Sequence, residues 1–195
     1  MEADWEIEVG GDAPVIDALW PGSIDLREHP EDAATLSESA QLPALAGALI
    51  RLNADGSSVT TIKCDVWPVD TADPSTFNAD ELDAPSEAAT VAIACYIDIV
   101  TREVAAWSTL DAAAQSCLSL CTSLRAQTLR QCRADLVVRR AITASPDLNL
   151  GITAYLTACG ATQAEAIAVL SSALAVFADA VHPPGTPVRS ASKLQ

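Results

Sequence analysis

Between Val91 and Ile99 every second residue is apolar. Val91, Ile93, Cys95, Ile97 and Ile99 share one side, while Tyr96 and Asp98 fall on the other. A period of two belongs to extended backbone, whose successive Cβ atoms point to opposite faces. The pattern returns along the chain. Trp5, Ile7 and Val9 alternate with Glu6 and Glu8 until Gly10-Gly11 ends the run. Over residues 57–67, Ile62, Cys64 and Val66 oppose Thr61, Lys63, Asp65 and Trp67. Over 131–143, Cys132, Ala134, Leu136 and Val138 oppose Arg133, Asp135, Val137 and Arg139; over 150–158, Ile152, Ala154 and Leu156 oppose Thr153, Tyr155 and Thr157. Alternation this regular predicts a sheet with one face on the core and the other left polar.

Three stretches switch to helical spacing. Leu42, Leu45, Leu49 and Leu52 predict a helix over 38–53, with Pro43 tolerated in its first turn. Ser108 and Asp111 read as a capping box opening a helix to about 125, whose stripe is Leu110, Ala114, Cys117, Cys121 and Leu124. Thr162 and Glu165 open the last helix, with Ile167, Leu170, Leu174, Phe177 and Val181 inward and Pro183-Pro184 as the stop. The order β-α-β, β-α-β, β-α predicts an α+β domain over 1–182. It would hold a mainly antiparallel sheet of five to six strands with three helices packed on one face, followed by a flexible tail over 183–195. The order parses as a ferredoxin-like βαββαβ extended by βα. If residues 22–26 also form a strand, it parses as three ββα units, a reading that the echo of Cys95-x-x-Asp98 in Cys132-x-x-Asp135 supports.

Charge narrows the function classes. The chain of 195 residues carries a net −15, which opposes binding to nucleic acid or to an anionic membrane surface. Residues 1–100 hold 20 of the 26 acids but three bases, whereas 101–195 hold six acids and eight bases. A solvated acidic surface is the simpler account. The sharper one is that Arg125, Arg130, Arg133, Arg139 and Arg140 answer acids of the first half or of a partner. The acidic start Met1-Glu-Ala-Asp-Trp5 has no basic, apolar leader pattern, so a cytoplasmic location is expected. The apolar run from Ala164 to Val181 is broken by Glu165 and Asp179, which favours a core helix over a membrane span.

Candidate chemistry is sparse, and no cofactor or metal is expected. Cys117-x-x-x-Cys121 with Cys132 raises a zinc site, but the spacing is not that of a tight zinc knuckle, and these thiols lie on predicted inward faces. Cysteine packs there as a small hydrophobe; Cys159 falls outside the inward set and is the candidate reactive thiol. His29 and His182 stand in no recognisable nucleophile arrangement. The loop over 68–87, with Asp70, Asp73, Asp80, Glu81, Asp83 and Glu87, lacks the order of a calcium loop and reads as a solvated loop able to gate a neighbouring pocket.

By strand parity Lys63, Asp65, Trp67, Tyr96, Asp98, Arg133, Asp135, Arg139, Thr153 and Tyr155 point to the side away from the helices. Aromatic and arginine side chains on an open face are the ones that binding surfaces use. The expected function is therefore a non-enzymatic binding or assembly module, with a homo-oligomer or a protein as partner. The alternative is a small-molecule enzyme using Asp65, Asp98 or Asp135 as acid–base groups and Arg133 or Arg139 to hold an anion.

Overall fold

The computed structural model describes residues 1–22, 24–103, 106–144 and 149–183. The strands are β1 (Glu2–Glu8), β2 (Ile16–Asp17), β3 (Val59–Val69), β4 (Val91–Thr101), β5 (Cys132–Ile142) and β6 (Asn149–Gly160). The α-helices are α1 (Ser37–Gln41), α2 (Pro43–Leu52), α3 (Leu110–Arg125) and α4 (Gln163–Val181). All strands join one six-stranded mixed sheet in the order β1-β5-β6-β4-β3, with β2 also on β5. The protein is α+β. The turn expected at 145–147 and the tail from 184 onward lie outside the described residues.

The sheet is antiparallel over three of its five pairings, as expected, but it is mixed. The pairs β3–β4, β4–β6 and β6–β5 are antiparallel, but β1 and β2 both run parallel to β5. Composition explains the placement. β6 carries no charged residue and is buried on both sides along most of its length, so it takes the centre. β1 carries Glu2, Asp4, Glu6 and Glu8, which suit an edge and oppose pairing with another chain. The strand that the three-ββα parse requires at 22–26 does not form at Ile24–Leu26; the short strand is Ile16–Asp17 instead.

The first predicted helix is two. Leu42 takes a non-helical conformation between α1 and α2, because a residue before proline is pushed out of the helical region. Thr109, rather than Ser108, caps α3 by accepting the Ala112 N–H. At α4 the Thr162 hydroxyl accepts the Glu165 N–H while the Glu165 carboxylate accepts the Ala161 N–H at 2.8 Å. By length and composition α4 is apolar enough to cross a bilayer, yet Ala166, Leu170, Ala173, Leu174 and Phe177 along one side are buried within the protein.

α2, α3 and α4 cover the inner face, where Leu136, Val138, Ile152, Leu156, Ile97 and Ile99 meet Leu45, Leu49, Leu124 and Phe177 in one continuous core. Cys95, Cys117, Cys121 and Cys132 are buried in that core, and burial pushes their thiols up to about 11 or 12. Among the described residues no group of three or more His, Cys, Asp or Glu is arranged to hold a metal ion.

The outer face is closed only at its two ends. At one end residues 10–22 and 24–29 fold across it, and Ile16 lies buried against Gly151. At the other end the acidic loop sets Leu82 and Phe77 over Ala92 and Cys159. That contact overturns the reading of Cys159 as a reactive thiol: it is fully buried, and burial raises its pKa. Nor is the acidic loop simply solvated. It carries two short 3₁₀ turns, Ala79–Leu82 and Ser86–Ala88, and it is tied to β5 by arginines described below.

Candidate binding face

The middle of the outer face is organised as rungs that cross the sheet. One rung runs Asp4, Asp135, Tyr155, Tyr96, Asp65, so two tyrosines lie between carboxylates. Directly paired side chains across strands lie close enough to interact, and here they do so as rings. The Tyr96 and Tyr155 centroids are 6.0 Å apart at 53°, and Trp67 continues the row 6.2 Å from Tyr96 at 51°. These tilted contacts suit the quadrupoles of the rings. All three rings are half-buried, with no helix over them.

The next rung runs Glu6, Val137, Thr153, Asp98, and there β3 bulges. Thr61 pairs with Ile99 and Cys64 with Ile97, so both Ile62 and Lys63 stand opposite the single residue Asp98. The extra residue breaks the parity expected for this strand. Thr61 turns to the helix side, where its hydroxyl accepts from the Asn53 side chain at 2.7 Å. Asn53 Oδ1 in turn accepts the Thr60 hydroxyl and the Thr61 N–H, which fixes the bulge to the end of α2. Lys63 stays beside Asp98, and its ammonium lies 5.0 Å from the ring centroid of Trp20.

The charges of the face are mostly committed within the chain. Thr153 donates its hydroxyl to Asp98 Oδ1 at 2.6 Å. Arg139 donates to Glu8 at 2.9 Å and stacks 5.6 Å from the Tyr155 centroid. Arg133 grips Asp135 through Nε and Nη2 at 2.7 Å each, and reaches Glu81 of the acidic loop at 3.2 Å. Arg130 holds Asp83 of the same loop at 2.7 Å, and Arg125 lies 3.8 Å from Asp4. Arg125, Arg130, Arg133 and Arg139 each pair with an acid of the first hundred residues, while other acids of that half, among them Glu2, Glu6 and Asp12, lie exposed on the surface. The pairing was unreadable locally, since it depends on β1 and the acidic loop both meeting β5.

Desolvation governs the acid–base character. Burial raises the Asp98 carboxyl above its ordinary range, against the lowering effects of the Thr153 hydrogen bond and of the Arg139 and Lys63 charges. Burial likewise raises Asp135, with Arg133 opposing. The Tyr96 phenol is pushed up to about 12 by burial and by the neighbouring Asp98 and Asp65. Cys64, on the inner side of the bulged strand, is also raised to about 12 by burial first.

The residues expected on the outward face (Lys63, Asp65, Trp67, Tyr96, Asp98, Arg133, Asp135, Arg139, Thr153 and Tyr155) thus share one surface. Sequence reasoning missed Trp20, Glu8, Asp4 and Glu81, which that surface also contains. The acids at Asp4 and Glu8 carried a signal in the alternation of β1; Trp20 sits in a proline-flanked loop with no periodicity. Next to Trp20 a cleft of about 350 Å³ opens between residues 10–22 and 24–29, α1, α2 and the β3 bulge. The chain matches no protein-family model, no curated protein and no solved structure.

Proposed function

We propose that the chain is a non-enzymatic binding or assembly module that uses the outer face of the sheet. The observation that carries this reading is the rung Asp4–Asp135–Tyr155–Tyr96–Asp65 with Trp67 beside it, its rings half-buried and framed by covering segments at both ends of the face. Large rings held in a row supply contact area at little entropic cost. Association through the sheet edges is opposed by the four acids of β1 on one side and by Pro68 and the bulge of β3 on the other. Because the arginines of the face are already paired, what a partner meets is aromatic and acidic, which favours a basic protein surface over a second acidic copy.

The enzyme reading rests on Asp98, a buried carboxylate with a raised pKa. Against it, Arg133 and Arg139, the groups needed to hold an anionic substrate, are engaged by Asp135, Glu81 and Glu8.

For the fold we infer a ferredoxin-like plan in permuted order. Read as β6-α4-β3-β4-α3-β5, the elements give βαββαβ, with β4 and β5 flanking β6, and β6 and β3 flanking β4. Among the described elements β1 comes first in sequence and α4 last, and β1 adds an outer strand beside β5. Shared plan alone names no activity.

Sedimentation at micromolar concentration, alone and with an arginine- and lysine-rich peptide at low salt, tests the functional reading. A peptide complex or a dimer that Trp67→Ala weakens supports the face. A monomer that ignores the peptide, or a complex as tight in Trp67→Ala as in wild type, ends it.

A further inference from the structure

The cleft beside Trp20 contains an unusual arrangement of charge. Ile24, Leu26 and Leu49 build an apolar wall, and two charged side chains, Glu38 and Lys63, line the cleft beside Cys64 and Tyr96. Among the described residues neither forms an ion pair: Glu38 accepts the neighbouring Ser37 hydroxyl at 3.0 Å, and the Lys63 ammonium lies on the Trp20 ring instead. The indole is fixed in that position from behind. A Cβ added at Gly22 would come within 2.6 Å of Trp20 Cη2 and Cζ2, so the ring rests directly on backbone. Trp20 is nonetheless 44% exposed, so a ligand in the cleft can reach it.

We propose that this cleft is a binding site for a small organic ammonium with an apolar body, and that Lys63 occupies the cation subsite when the ligand is absent. Three features converge on that chemistry. Trp20 presents the best of the aromatic faces for a cation, and a cation is already on it. Glu38 supplies a negative charge that, among the described residues, forms no ion pair, in a molecule of net charge −15. The volume of about 350 Å³ is that of a small-ligand pocket, and its walls are mostly apolar with few polar groups. Lys63 has somewhere to go on displacement, because the bulge already places it where Asp98 feels its charge. The site borders the open sheet face and shares Lys63, Tyr96 and Trp20 with it, but it excludes Trp67, Tyr155 and Asp135, so the two can be tested apart.

The test is titration with benzyltrimethylammonium, followed by the indole N–H signals of the four tryptophans, with benzyl alcohol as the uncharged comparison. Wild type should saturate with a shift at Trp20 and none at Trp5 or Trp107. Lys63→Gln, which vacates the subsite, should bind about fivefold tighter, and Trp20→Ala about tenfold weaker. Trp20→Phe should fall between, which guards against a misfolded alanine variant. Tyr155→Ala, on the open face, should bind like wild type, so failure here leaves the face untouched. Lys63→Gln binding no tighter than wild type would overturn the subsite. Binding of benzyl alcohol as tight as that of the ammonium, or no saturation in either wild type or Lys63→Gln, would overturn the ligand class.

Discussion

The two faces of the sheet are made by the same strands and do different work. On the inner face Cys132, Ala134, Leu136 and Val138 meet three helices, and nothing charged intervenes. One residue along, Arg133, Asp135 and Arg139 meet Glu81, Glu8 and an aromatic row, and helices give way to two covering segments at the ends. The inner face holds the domain together by area removed from water. The outer face is kept open across its middle, and its small apolar contacts, Ile16 on Gly151 and Leu82 on Cys159, pin loops rather than build a core. A strand can serve both ends because its side-chain period is two.

That division predicts unequal costs. Phe177→Ala removes a fully buried ring from the inner core and should lower unfolding stability by about 3–5 kcal/mol, read from the denaturant midpoint at constant slope. Leu82→Ala opens the outer satellite cluster and should cost about 2 kcal/mol, the low end for a buried leucine because its surroundings are a loop free to collapse. A Leu82→Ala loss equal to that of Phe177→Ala would mean the outer end belongs to the core. Gly151→Ala sharpens the point at the opposite end. Its Cβ would stand 2.8 Å from the Ile99 carbonyl oxygen and 2.7 Å from Ile16 Cδ1, and backbone cannot step aside. We expect about 1–2 kcal/mol, with the 10–22 segment becoming the first site of proteolytic cleavage.

The faces themselves were legible in the sequence, and their neighbours were not. Alternation is a local property, so the outward set from Lys63 to Tyr155 could be assigned strand by strand. Strand order is non-local: nothing within β1 says that it lies beside β5, although its four acids and the charge-free β6 indicate which belongs at an edge and which at the centre. The bulge at Ile62 and Lys63 shows the limit of parity, since one inserted residue returned Thr61 to the helix side. Cys159 shows another: its outward parity was right, and yet a loop with no periodicity buried it. Trp20 was missed for the same reason.

Asp98 gives the finest test, because it is a polar group of the outer face held under core-like burial, 8% exposed. Its folded pKa is raised from the ordinary 3.8, chiefly by desolvation. A raised acid favours the protonated form in the folded state, so its contribution to stability is complete below pH 4 and is lost as pH climbs through the folded value. At neutral pH the ionised carboxylate is a residual cost that the Thr153 hydroxyl, Arg139 and Lys63 offset in part. Asp98→Asn keeps an oxygen to accept the Thr153 hydroxyl and removes the charge. The variant should therefore be more stable than wild type at pH 7, and the difference should shrink toward zero as pH falls to 3; paired urea titrations at several pH values measure it. The opposite trend, with the variant weaker at pH 7 and level at pH 3, would show that Asp98 is a satisfied ion of the outer network. Its neighbours Arg139 and Lys63 would then be holding it in place, and the outer face would be stabilised by its charges rather than merely tolerating them.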